Sequence, residues 1–375
     1  AALNRQARDR MIEIDPLGMV LYGDTQLLST EDKESLLESL KREAEKIGYL
    51  NYSWSTRAFS ALTTQDMKLP LLALLGSSSR EKSDQSVLDC VLRGLYRSPA
   101  IPGLQAALIG VIRDSTHWEG VRVGALQAFT SQYPEEHESL LRLADDIRQG
   151  KVDDNEFRLL GSLLYQLFSQ HIPASDILKY LQLGRDFRSI SHYEVFWDNE
   201  LPRRVSDADL PALLDAVSAM EIPHPRGRAV DRHAASMAAR LLARGVQVYG
   251  EKVAVGRLYR WLSIGLDEFS FDHLDKECGQ QIRDWISAHP ERYLAILGEG
   301  IRSISDFENV SLQIYQVTKR LHGATRPENI GQWWLEQALF ANEPKLREGF
   351  FCQAFGLLVH ESAGIQNLSL EVFEE

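Results

Sequence analysis

The sequence predicts an all-α protein, an α-solenoid of stacked helix pairs that becomes irregular towards its C-terminal part. Three observations lead there: apolar residues spaced by three and four along nearly the whole chain, short breaks at regular intervals, and a pattern that returns every 34 to 36 residues. Alternation of the strand type is almost absent, and Asn-Gly and Asp-Gly hairpin turns do not occur.

The first long helix is expected over residues 30–48. Leu36, Leu37, Leu40, Ala44 and Ile47 fall on one face. Thr30 is the expected cap, Glu31 and Asp32 suit the positive end of the helix dipole, and Gly48 suits its close. The same spacing predicts helices over 83–97, 102–113, 118–132, 134–149, 154–169, 174–183, 206–220, 229–244, 250–265, 276–288, 290–298, 309–322, 329–341 and 343–361. Breaks such as Ser98-Pro99, Asp114-Ser115, Tyr133-Pro134, Ile172-Pro173 and His289-Pro290 separate them. Helices of 10–18 residues joined by short links form a bundle or a solenoid.

The repeat favours the solenoid. Val121-Arg122 is followed by Ala125, Ala128 and Phe129; thirty-six residues on, Phe157-Arg158 is followed by Gly161, Leu164 and Tyr165. Thirty-four residues earlier stand Val87-Leu88, then Val91, Gly94 and Leu95, with a leucine in the arginine's place. A small residue in mid-helix lets neighbours approach, and the apolar residues around it bury themselves against the next pair.

The segment Val121-Arg-Val-Gly-Ala-Leu-Gln-Ala-Phe129 resembles the second helix of HEAT repeats. In that family the arginine pairs with an acidic residue near the turn. The resemblance therefore implies structural roles for Arg122 and Arg158, with Asp114 or Glu119, and Asp153 or Asp154, as partners.

A wider resemblance runs over residues 12–220. It is carried by Asp15-Pro16, by Leu28-Ser-Thr-Glu-Asp-Lys-Glu-Ser-Leu-Leu-Glu-Ser-Leu40 and by Asp154-Asn-Glu-Phe-Arg-Leu-Leu-Gly161. Ile172-Pro-Ala-Ser-Asp-Ile-Leu178, His192-Tyr-Glu-Val-Phe-Trp197 and Val205-Ser-Asp-Ala-Asp-Leu-Pro-Ala-Leu-Leu214 continue it. This order is similar to the helical-repeat region that follows the ATPase in bacterial NACHT/STAND-type NTPases. The resemblance implies a ligand-sensing or scaffold role in signalling or anti-phage defence, with a protein ligand or appended NTPase and effector domains as partners. The phosphate-binding pattern Gly-x-x-x-x-Gly-Lys-Ser/Thr is absent, and Gly150-Lys151-Val152 lacks its hydroxyl residue and its first glycine. The expectation is thus the repeat region without its motor. The start at Ala1 rather than Met, and the close on Glu-Val-Phe-Glu-Glu, read as a piece of something longer.

Charge and composition narrow the partners. With 41 basic and 53 acidic residues the net charge is −12, which argues against nucleic acid as the partner. The basic groups at Arg226, Arg228 and Arg232, and at Arg203 and Arg204, are read as solvated surface. No stretch is apolar enough to span a bilayer; Leu69-Pro-Leu-Leu-Ala-Leu-Leu75 is too short and holds a proline. The N-terminal residues lack the apolar core of a signal peptide, so the cytoplasm is the expected location. Cys90, Cys278 and Cys352 are odd in number and widely spaced, which fits reduced thiols rather than disulfides or a thiol-rich metal site.

No catalytic, cofactor or metal site is expected. His137-Glu138 fails as His-Glu-x-x-His because Leu141 stands where the second histidine would be. His224 to His233 reads as a hinge, Asp267 to His273 as a polar loop, and Gly76 to Ser79 as a link. Adjacent carboxylates such as Glu135-Glu136 and Asp145-Asp146 splay apart on a helix.

The aromatic clusters are the candidate protein-binding residues: Phe187, Tyr193, Phe196 and Trp197 at mid-chain, and Trp333-Trp334 near the end, where Phe350-Phe351 also stands. A further group, Tyr49, Tyr52, Trp54 and Phe59, follows the first long helix. Adjacent tryptophans cannot both enter one core, so one of Trp333 and Trp334 is expected at a partly exposed boundary.

The expected division is HEAT-like repeats over 1–221, a hinge or linker over 222–230, and further repeats or a bundle over 231–375. The alternatives are a freestanding HEAT-like scaffold and a HEAT-like DNA glycosylase, and the latter needs a basic concave surface that the net charge opposes. The sequence fixes no oligomeric state.

Overall fold

The structure is a computed structural model that describes residues 2–47, 50, 56–77, 81–183, 191–220, 232–264, 276–304, 309–319, 321 and 324–361. Among the described residues the fold is all-α, with no strand. The chain divides into two compact units, Ala1–His171 with Ser189–Tyr193, and Ile172–Arg188 with Glu194–Glu375. The division therefore falls near residues 172–194, whereas the hinge expected at 222–230 lies outside the described residues.

The first unit holds α1 (Ala2–Ile14), α2 (Pro16–Tyr22), α3 (Thr30–Ile47), α4 (Thr56–Phe59), α5 (Lys68–Leu75), α6 (Lys82–Leu95), α7 (Gln105–Arg113), α8 (Glu119–Gln132), α9 (His137–Arg148) and α10 (Arg158–Leu167). Helix α3 buries Leu36, Leu37, Leu40 and Ala44, the stripe that its spacing marks. Its cap is Ser29 rather than Thr30. The Asp32 N–H donates to Ser29 Oγ and the Ser29 N–H donates to Asp32 Oδ2, a reciprocal box that occupies two of the donors a helix start leaves open.

Alternate helices touch in this unit. Helix α6 packs on α3 and α8, α8 packs on α10, and α5 packs on α7; the pairs α7–α8 and α9–α10 also pack. Gly94 and Gly161 permit two of the close approaches. A Cβ on Gly161 would lie 2.2 Å from the backbone nitrogen of Tyr193, and one on Gly94 would lie 2.7 Å from the carbonyl oxygen of Phe59.

Polar side chains tie one helix pair to the next at a nearly constant interval. Gln132 donates to the carbonyls of Leu95 (2.7 Å) and Ser98 (3.0 Å), while its own oxygen accepts from the Ile101 N–H at 2.8 Å. Gln85 meets the His117 ring and accepts from the Trp118 N–H at 3.3 Å. These ties join residues 31 to 37 apart.

The second unit holds α11 (Ala174–Ile177), α13 (Leu201–Arg204), α14 (Leu210–Ser218), α15 (Arg232–Tyr249), α16 (Val255–Leu262), α17 (Lys276–Ala288), α18 (Pro290–Arg302), α19 (Val310–Lys319), α20 (Ile330–Phe340) and α21 (Pro344–Glu361). Between α11 and α13 the chain forms α12 (His192–Val195), within which the unit boundary falls, and then a π-turn over Phe196–Glu200. Alternate contact recurs here: α14 with α16, α16 with α18, and α15 with α17. The ties now span longer intervals. Asp215 on α14 accepts a fork from Arg257 (2.9 and 2.6 Å) and a bond from the Trp261 indole N–H (2.8 Å), and both donors lie on α16. Arg244 on α15 donates to the carbonyls of Pro202 (2.9 Å) and Val205 (2.8 Å).

Candidate protein-binding surface

The aromatic residues singled out by sequence divide sharply. Tyr193, Phe196 and Trp197 are fully buried and Trp334 nearly so, which corrects the expectation of a binding surface there. Tyr193 packs tilted against Phe157 at 5.1 Å within the first unit; Phe196 meets Trp197 edge-on at 5.2 Å in the second. A large aromatic ring packed between helices has its apolar area removed from water. Phe187, Tyr49, Tyr52 and Trp54 lie outside the described residues, and Phe59 is in the core.

The tryptophan pair splits. Trp334 is buried against Phe350 of α21 at 5.6 Å, while Trp333 is half-buried at the edge and meets Trp334 edge-on at 5.0 Å.

Val87, Val121 and Phe157 are buried, Phe157 at the left-handed φ of 52° just before α10. Arg122 is buried and forks to two carbonyls, Ile112 at 2.8 Å on its own helix pair and Asp153 at 2.6 Å before the next. It thus takes backbone oxygens where the resemblance implied a carboxylate. Arg158 does pair with carboxylates, Glu119 at 3.3 Å and Glu156 at 2.9 Å. Asp154 caps α10 by accepting the N–H groups of Leu159 (3.3 Å) and Leu160 (2.8 Å). Burial, outweighing those bonds and Arg122, pushes its carboxyl up to about 6.

Exposed apolar side chains gather on the last three helices, which pack on one another as α19–α21 and α20–α21. Leu339 is 74% and Phe340 82% exposed, with Leu335 beside them on α20; Phe351 and Phe355 are exposed on α21, and Leu312 and Tyr315 on α19. Along α21, Arg347, Phe351 and Phe355 recur at intervals of four, with Glu348 and Cys352 alongside, and line a groove of about 540 Å³. Phe350 and Ala354 point into the core from the same helix. A helix apolar on both faces belongs in an interior, and α21 has only one face covered. The Phe350-Phe351 doublet was the sequence signal for this arrangement.

Among the described residues no group of three His, Cys, Asp or Glu side chains could hold a metal ion. His233 is buried in α15, and the rest of the 224–231 stretch, like 265–275, lies outside the described residues. No described helix is long and apolar enough to cross a membrane. Cys90 is buried, and burial pushes its thiol up to about 12, whereas Cys352 is exposed.

No protein-family model matches the chain, and comparison with curated proteins and with solved structures returned no match.

Proposed function

We propose that the chain is a non-catalytic protein-interaction region, an α-solenoid of HEAT-like helix pairs from a larger NACHT/STAND-type NTPase of bacterial signalling or anti-phage defence. The observation that carries the interaction role is the clustering of exposed apolar side chains on α19–α21, since apolar residues gathered in one patch mark interaction surfaces where scattered ones do not. The solenoid reading is supported by alternate-helix contact and by ties at near-constant separation, as expected when each pair covers the next. The NTPase context rests on the resemblance over residues 12–220, and on that reading nucleotide chemistry belongs to a part of the protein outside this chain.

Cys352 makes the surface testable. A photocrosslinker attached to Cys352 should join a discrete protein in cells of the source organism, and L339S/F340S should abolish that product while the fold melts unchanged. Crosslinking only to lipid or to nothing above background would overturn the interaction reading. The parental open reading frame tests the context separately. A phosphate-binding loop upstream is the expected result, and a start and stop codon bounding this chain would exclude it.

A further inference from the structure

A second surface, in the first unit, has a different chemistry. A groove of about 990 Å³ runs between α1, α3 and α5. Its floor is apolar: Ile12, Leu37, Leu74 and Val87, all buried. One wall carries Leu69, 76% exposed, with Pro70 and Ala73 of α5. The rim is acidic, with Glu31, Glu34 and Glu38 on one stripe of α3 and Asp9 and Glu13 across from them on α1.

The basic groups nearby are largely engaged. Arg8 holds Asp32 at 3.1 Å, Lys41 lies between Glu38 and Asp84 at 3.8 Å from each, and Arg42, which also lines the groove, donates to Ser39 Oγ at 2.9 Å. Among the described residues, Glu13, Glu31 and Glu34 form no ion pair. The groove lining thus carries six acidic side chains against two basic ones, around an apolar trough with an exposed leucine on its edge. That combination matches a helix whose apolar stripe lies in the trough and whose flanks carry lysine or arginine at intervals of three and four.

We propose that this groove receives a basic amphipathic helix of a partner protein. The stripe from Glu31 to Lys41 is about 15 Å long at 1.5 Å per residue, so about three helical turns of the partner are engaged. The rim acids set the sign of the partner and reject an acidic helix, while Leu69 and the floor supply the apolar contact. The proposal is independent of the α19–α21 surface and does not need the NTPase context.

The test uses the full chain and a labelled model peptide of about 14 residues built from leucine and lysine in helical register, with a leucine–glutamate peptide as its counterpart. Fluorescence anisotropy at about 50 mM salt should show binding of the lysine peptide alone, weakened about tenfold at about 300 mM. The variant E13K/E31K/E34K should lose binding by tenfold or more, and Leu69→Ser, changed at an exposed position, should do the same at unaltered rim charge. Both variants should melt as the parent does. Equal binding of the two peptides would overturn the proposal. So would retention of the lysine peptide by Leu69→Ser, which would mark attraction to net negative charge only.

Discussion

Arg122 shows what one buried cation does between helices. Its fork satisfies two carbonyls on different helix pairs, so removal leaves both without a donor in a buried setting. Arg122→Ala should cost about 2–4 kcal/mol, read as a lower urea midpoint at unchanged slope, and Arg122→Lys should recover only part of it because an ammonium cannot span both oxygens. Asp154 makes a pH-dependent contribution of the opposite sign to the usual carboxylate. Its folded pKa stands near 6, above the unfolded value of 3.8, so the folded state binds the proton more tightly. That stability is present below pH 4 and lost as pH rises through 6, about 3 kcal/mol in all at 1.4 kcal/mol per unit. The stability of the parent relative to Asp154→Asn should therefore fall between pH 4 and pH 7 in denaturant titrations, and a constant difference would refute the assignment. The sequence marked Arg122 as structural, but its partners were hidden: a backbone carbonyl has no side-chain letter to read.

At the scale of elements, close approach decides more than propensity. Gly161 lies where a Cβ would press on the backbone of residues 192 and 193, which cannot yield as a side-chain tip can. Gly161→Ala should destabilise by about 3 kcal/mol despite alanine's better helix propensity, measured by thermal melting; Gly110→Ala, where a Cβ meets nothing, is the control and should instead gain up to about 1 kcal/mol. Most helices were legible because their apolar stripes are long and periodic, as in α3, α8 and α17. Two were not. Helix α5 looked like a short apolar run broken by Pro70, yet that proline sits in its first turn, where its missing N–H has no helical partner to lose. Helix α1 is so charged that its buried face shows little more than Ile12. The segment predicted as one helix over 174–183 became α11 and a 3₁₀ turn over Leu178–Tyr180. The candidate surface was less legible than the fold. Aromatic residues mark both cores and interfaces, and only the packing of neighbours decides that Trp197 is covered while Phe340 is not.

For the molecule as a whole, net charge and apolar surface set the partners. At −12 the chain should run unretarded with duplex DNA even at about 50 mM salt, and a retarded band in a gel-shift experiment would reopen the DNA-binding alternative. The two surfaces described above lie in different units, one apolar on α19–α21 and one acid-rimmed between α1, α3 and α5, so substitutions in one should leave the other's binding intact. The limited span of the polar ties has a mechanical consequence. From Arg122–Asp153, 31 residues apart, to Asp215–Trp261, 46 apart, each tie holds a short loop. A breaking tie can let out only that much chain, roughly 100–150 Å at full extension. Stretched between two anchors, each unit should therefore lengthen in a train of modest steps and take up slack again one helix pair at a time, behaving as a spring rather than a latch.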